Sequence, residues 1–165
     1  MKTISIRQPW AWAILNAGKR IENRERKDGR KPSMCSHRGP LLIHASAGMG
    51  ARDYAEARIV IDRILSGRGL VTPKRGALDR GGVVGVCDVV GHVVPSLDGR
   101  PLVHRGAGRG EYDPQPIEDL RWHKAGSYGL VLADVRPLPF TPWAGALGLF
   151  EVPEDISGPL LAGLQ

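Results

Sequence analysis

Lys19, Glu22 and Arg24 set a cation, a carboxylate and a second cation within six residues, with Arg20 between them. Charges grouped so closely beside apolar residues solvate, pair with one another, or face a ligand. A lysine partly desolvated beside Arg24 has a lowered pKa and can act as a base or nucleophile. Glu22 can hold a hydroxyl or shuttle a proton, and Arg24 can clamp a phosphate with two parallel N–H bonds. The plainer alternative is a Glu22–Arg24 surface pair, worth at most about 1 kcal/mol.

Other residues that could carry chemistry are scattered. Four of the nine aromatic residues are Trp10, Trp12, Trp122 and Trp143. An aromatic face beside basic residues can stack a base, and Trp122-His123-Lys124 fits that role best. Trp10 lies on an apolar helical stripe and is expected in the core, whereas Trp12 points off it. His44 ends an apolar run and is a candidate base, although such a histidine is more often structural. Cys35-Ser36-His37 is an isolated Cys-x-His, and the five histidines show no metal-ligand spacing, so no metal or other cofactor is expected. Gly106-Ala107-Gly108-Arg109-Gly110 lacks the strand-before, helix-after context of a phosphate loop and reads as a basic loop able to touch a nucleic-acid backbone.

The charge distribution favours a polyanionic partner. Residues 1–38 hold ten Lys and Arg against three acids, a surplus larger than the +6 of the whole chain. No Lys or Arg follows Arg136. A basic front of this kind attracts nucleic acid through steering and counterion release. Arg7, Gln8 and Pro9 interrupt the apolar residues near the amino terminus, and no run approaches the ~20 apolar residues of a membrane span. A soluble, cytoplasmic protein with reduced Cys35 and Cys87 and no membrane partner is expected.

The elements that must position these groups are short. At 165 residues one domain is the economical reading, taken as 1–152 with a tail at 153–165. Thr3 to Arg7 alternates as a half-buried strand. Trp10, Ala13, Ile14 and Ala17 form a helical stripe that opens after Pro9 and stops at Gly18. Arg20, Glu22 and Arg24 then share one face of a second strand, with Lys19 in the turn before it. Pro40 to His44 reads as a buried strand and Asp53 to Leu65 as the strongest helix. Val83 to Val94 is a bent central strand, Tyr128 to Val135 another, and Leu147 to Val152 the last. Residues 67–82 and 95–117 read as long loops. Five or six strands, two helices and no alternating βα repeat favour an α+β fold with a small curved sheet or barrel.

Ser5-Ile6-Arg7-Gln8-Pro9-Trp10-Ala11, then Lys19-x-x-Glu22-x-Arg24, then Arg38-Gly39-x-x-x-Ile43-His44-Ala45 resemble the ASCH domain family of the PUA-like superfamily. Gly126 to Val131, Arg136-Pro137-Leu138 and Gly145 to Phe150 resemble its closing strands, so the likeness spans roughly residues 3–152. The family signature is Gly-x-Lys-x-x-Glu-x-Arg; here Lys19 follows Gly18 directly, one residue short, with the rest intact. The resemblance implies a pseudo-barrel with a cleft beside the first helix and the signature strand, receiving RNA or a modified nucleobase. With the Trp122-His123-Lys124 platform added, the expected nucleic-acid-binding set is Arg7, Gln8, Trp10, Lys19, Arg20, Glu22, Arg24, Arg38, Trp122 and Lys124. A ribonuclease, metal-independent or metal-assisted, would use Lys19, Glu22, Ser46 and Tyr128. Two alternatives come with the family: an amidohydrolase acting on N4-acetylcytidine-type nucleosides, and a transcription-coactivator-like interaction module. The amidohydrolase branch carries threonine where this chain has Glu22.

Overall fold

Helix α1 (Trp10–Asn16) follows strand β1 (Lys2–Ile6) after one tight turn. Ala11, Ala13 and Ile14 are its buried residues. Gly18, at φ 72°, ends the segment in a left-handed conformation that a residue with a Cβ adopts only at a cost. In this computed structural model the described residues are 1–25, 31–95, 102–105, 115–116 and 120–163. They fall into two compact units between which the chain passes four times.

The first unit comprises residues 1–18, 41–87 and 135–165. Its centre is a parallel pair between β1 and β3 (Gly39–Ala45), in the register Thr3↔Leu42, Ile4↔Ile43, Ser5↔His44 and Ile6↔Ala45. Strand β8 (Leu149–Glu151) adds to β1 antiparallel, with Thr3 opposite Phe150. Helix α2 (Ala51–Ile64) buries Tyr54, Ala57 and Ile61, the spacing of one helical face. Asp62 at its end accepts from the Thr72 backbone N–H at 3.2 Å and the Thr72 hydroxyl at 2.6 Å, folding the following loop back onto the helix. Residues 154–162, which the pattern leaves without an element, form helix α3 (Glu154–Ala162). Its Ile156, Leu160 and Leu161 pack on a core of Leu42, Val83, Val86, Leu138 and Val152.

The second unit comprises residues 19–40 and 88–134. Strand β2 (Ile21–Arg24) pairs antiparallel with β7 (Tyr128–Pro142) as Ile21↔Val131, Glu22↔Leu130, Asn23↔Gly129 and Arg24↔Tyr128. Strand β4 (Gly82–Val94) pairs with β5 (Leu102–His104), placing His92 opposite His104. β5 pairs in turn with β6 (Gln115–Pro116). Ile21, Cys35, Val89, Val93, Val103, Trp122 and Leu130 form its buried interior. The neighbouring strands β4 and β7 each run through both units.

The α+β class holds, and the eight strands among the described residues exceed the five or six expected. β5 and β6 lie within the stretch read as a long loop. β7 continues seven residues past Val135, because Pro137, Pro139 and Pro142, which usually mark a strand's end, are accommodated along it. The Gly106–Gly110 loop lies outside the described residues.

Candidate functional site

Strand β2 carries the charged group. Alternation along the strand puts Glu22 and Arg24 on one face, and Lys19, three residues before Glu22, reaches round to the same carboxylate. Lys19 Nζ donates to Glu22 Oε2 at 2.7 Å and also to the Ile21 carbonyl. Arg24 Nη2 lies 3.3 Å from Glu22 Oε1. One carboxylate is thus divided between two cations, one oxygen to each. The side chain of Lys19 is 1% exposed, Glu22 10% and Arg24 24%, so the group grades from fully buried to accessible. Burial lowers the Lys19 pKa below the usual lysine value; Glu22 works against that shift, and the charge of Arg24 adds to it. Two cations around one carboxylate give the group a positive bias, and Arg24 is the member that meets solvent.

Around it the structure gathers several of the expected residues within the same unit. Tyr128 stands directly opposite Arg24 in the β2–β7 pairing, so the two share a face. Asn23 points to the other face. Its Nδ2 donates to the Trp122 carbonyl at 2.8 Å, and its Oδ1 accepts from the Lys124 backbone N–H at 2.9 Å. Asn23, which residue type alone did not single out, therefore fixes the turn that carries Lys124. The Lys124 ammonium meets Glu25 at 2.6 Å. Arg20 is exposed just outside β2.

Trp122 departs from its expected role. It is 3% exposed, packed inside the second unit, and offers no ring face for a base to stack on. Arg38 is likewise turned inward. It donates to the carbonyls of Cys35 at 3.0 Å, His37 at 2.7 Å and His104 at 3.2 Å, and to His92 Nδ1 at 2.9 Å. A phosphate at Arg38 would have to displace these acceptors. Burial first, then the charges of Arg38, Lys31 and His104, bring the His92 pKa down to about 4, and burial pushes the Cys35 thiol up to about 11. Both are uncharged at neutral pH.

The remaining expected residues belong to the first unit. Arg7 is open to solvent and 3.6 Å from Asp53. Gln8 is spent on structure: its Oε1 accepts from the Trp12 backbone N–H at 3.0 Å, satisfying a free donor of the first turn of α1, and its Nε2 donates to the Asp79 carbonyl at 2.9 Å. Trp10 is half-buried, and Trp12 packs on Met49, Tyr54 and Leu78. Ser46 is half-buried and its backbone N–H continues the β1–β3 ladder to the Ile6 carbonyl at 2.9 Å. His44 meets Ser5, a contact set by the register of two strands far apart in sequence. A cavity of about 210 Å³ opens between α1 and the 77–79 segment, lined by Trp12, Leu15, Asn16, Asp79 and Val84 among others.

Among the described residues no group of three or more His, Cys, Asp and Glu is placed to hold a metal ion. No helix formed by them is long and apolar enough to cross a membrane.

Comparison with known proteins places these observations. The model of the ASCH domain family matches residues 4–98, which include both the Ser5–Ala11 segment and the charged group of β2. No curated protein matches the chain. A crystal structure of a serine-to-alanine mutant of ZmASCH from Zymomonas mobilis is similar at 14% identity and a TM-score of 0.47, over 98% of this chain and 94% of that one.

Proposed function

This chain belongs to the ASCH domain family, and from that premise we propose that it binds single-stranded RNA, with the face of β2 as the contact surface. The observation that carries the reading is the single Glu22 carboxylate divided between a buried Lys19 and a partly exposed Arg24. Lys19 holds one oxygen of Glu22 from inside. Glu22 therefore presents the other in a fixed direction, and Arg24 is oriented by it. A partly exposed guanidinium oriented in this way is a phosphate clamp, and Tyr128 beside it supplies a ring and a hydroxyl to the adjoining nucleotide. Arg20 and Lys124 add charge that tracks the backbone. The pseudo-barrel with its cleft belongs to the same proposal.

A second reading, hydrolysis of the bound strand, is favoured by the depressed pKa of Lys19. A neutral lysine amine can take the proton of a 2′-hydroxyl as it attacks the neighbouring phosphorus, with the 5′-oxygen leaving. Against it stands the burial of Nζ, which must first give up its bonds to Glu22 and the Ile21 carbonyl. Binding is the primary reading.

The test is fluorescence anisotropy with a labelled single-stranded RNA between 50 and 300 mM salt. Several phosphate contacts require a steep fall in affinity, a slope of about −0.7 per contact in a double-logarithmic plot. Arg24→Ala is expected to weaken binding about fivefold to tenfold and to reduce that slope by about one contact. A salt-independent affinity, or an Arg24→Ala variant that binds like the parent, would refute the reading. Electrophoresis of the same RNA after incubation in EDTA, with Lys19→Ala alongside, separates holding from cutting.

A further inference from the structure

His44 lies in the first unit, away in sequence from the charged group of β2, and both of its ring nitrogens have partners. β1 and β3 run parallel with Ser5 directly opposite His44. Ser5 Oγ is 3.1 Å from His44 Nδ1, and His44 Nε2 is 2.9 Å from the Trp143 carbonyl oxygen. A carbonyl can only accept, so Nε2 carries the ring proton and Nδ1 the lone pair. The hydroxyl of Ser5 is consequently the donor to Nδ1. The ring of Phe150 meets the imidazole edge-on, with centroids 5.8 Å apart and planes at 82°, which holds the imidazole plane. His44 is 1% exposed, whereas Ser5 keeps part of its surface open.

Position 145 completes the arrangement. A Cβ there would lie 2.6 Å from His44 Cε1 and 2.8 Å from Ser5 Oγ, so only glycine lets the chain pass this close to both atoms. A hydroxyl, a base in the tautomer able to accept its proton, and a fixed group orienting that base are the three parts of a serine nucleophile. The orienting group is a neutral carbonyl rather than a carboxylate, so it stabilises the imidazolium less than an aspartate does.

We propose that Ser5 is an activated nucleophile, with His44 as its general base, toward small carboxylic esters. Oγ forms a bond to the acyl carbon while its proton passes to Nδ1. The bond from that carbon to the alcohol oxygen breaks, and the alcohol leaves with the proton from Nδ1. Water, deprotonated by the same nitrogen, then releases the acid and restores Ser5. The reaction needs neither RNA nor the Lys19 group, so its failure and that of the RNA-binding proposal are separable.

A fluorophosphonate probe with mass-spectrometric mapping tests this directly. In the probe reaction Oγ bonds to phosphorus, fluoride leaves and Nδ1 takes the proton. The expected result is one dominant adduct, on Ser5, absent in Ser5→Ala and formed at least about 100-fold more slowly in His44→Gln, the usual contribution of a positioned base. Circular dichroism establishes that the variants are folded. Should His44→Gln not fold, the parent chain in urea replaces it, and its Ser5 is expected to label as slowly as any free serine. The proposal is overturned if native Ser5 is not labelled, if Ser5 labels equally fast in urea, or if a folded His44→Gln labels at the parent rate. Those outcomes would make the Ser5–His44 bond a purely structural one.

Discussion

Replacing Lys19 by methionine removes one cation from a buried carboxylate while keeping the length of the side chain. Lys19→Met takes away the 2.7 Å charge-assisted bond to Glu22 and the bond to the Ile21 carbonyl. Breaking a buried ion pair from one side typically costs about 3–5 kcal/mol, because the other charge stays behind without its partner. Here Glu22 retains Arg24 at 3.3 Å, so the expected loss is shifted down from that range, to about 2–4 kcal/mol. Part of the cost of burying an ammonium, the burial that lowers the Lys19 pKa, is also recovered. For a domain of this size such a loss corresponds to a drop in Tm of roughly 5–15 °C. Urea denaturation followed by tryptophan fluorescence measures it, and an unchanged m-value shows that the native state alone has changed. The double variant Lys19→Met/Glu22→Leu is expected to regain most of the loss, since an apolar pair of similar volume replaces an ion pair at little net cost. A Lys19→Met loss below about 1 kcal/mol, the size of an exposed pair, would refute the reasoning. So would a double variant whose loss equals the sum of the two single ones.

Acidification should weaken the fold through His92. Its native pKa of about 4 lies below the ordinary 6.5, so between these values the unfolded chain binds more protons than the native one. That contribution is fully present above pH 6.5 and is lost as the pH falls toward 4. A shift of this size is worth up to about 3 kcal/mol, reduced by solvent screening to about 1–2 kcal/mol, and urea titrations at pH 7.5, 5.5 and 4.5 should find it in the parent and not in His92→Phe. Trp122→Ala is expected to cost about 3–5 kcal/mol in the same assay, whereas a ring that served only to stack bases would be removed with little loss of stability. Gln8→Ala should cost about 1–2 kcal/mol by removing its bonds to the Trp12 N–H and the Asp79 carbonyl, and hydrogen exchange should show faster opening of the first turn of α1.

Elements with a strong period were legible from the order of apolar and polar residues alone. The stripe of α1, the Tyr54, Ala57 and Ile61 face of α2 and the β-branched run of β4 each stand where their pattern places them. Glu22 and Arg24 share a face for the same reason. α3 was hidden because Gly158 and Pro159 sit within it, and local propensity argues against a helix that packing on Val83 and Val152 nevertheless stabilises. The depth of Lys19 was not legible either. Lysine is rarely buried, and its position depends on the Glu22 carboxylate being drawn inward with it. The pairing of Ser5 with His44 is set by strand register across 39 residues of sequence, information no local pattern contains.

The way the chain alternates between its two units has a consequence for its synthesis. The residues of the second unit are all made once position 134 has been reached, but the first still lacks residues 135–165. β1 can pair with β3 early, yet its other edge waits for Leu149, Phe150 and Glu151. At ordinary translation rates that wait is on the order of ten seconds. Throughout it, a strand carrying Ile4 and Ile6 has one row of backbone donors and acceptors open, and Leu42 and Val83 lack the cover that Val152 and α3 bring. Nascent chains of this protein therefore carry an exposed strand edge until residues 149–151 have been made. Chains that stop short of residue 149 should be retained by chaperones or aggregate, even though every residue of the charged group on β2 is already present.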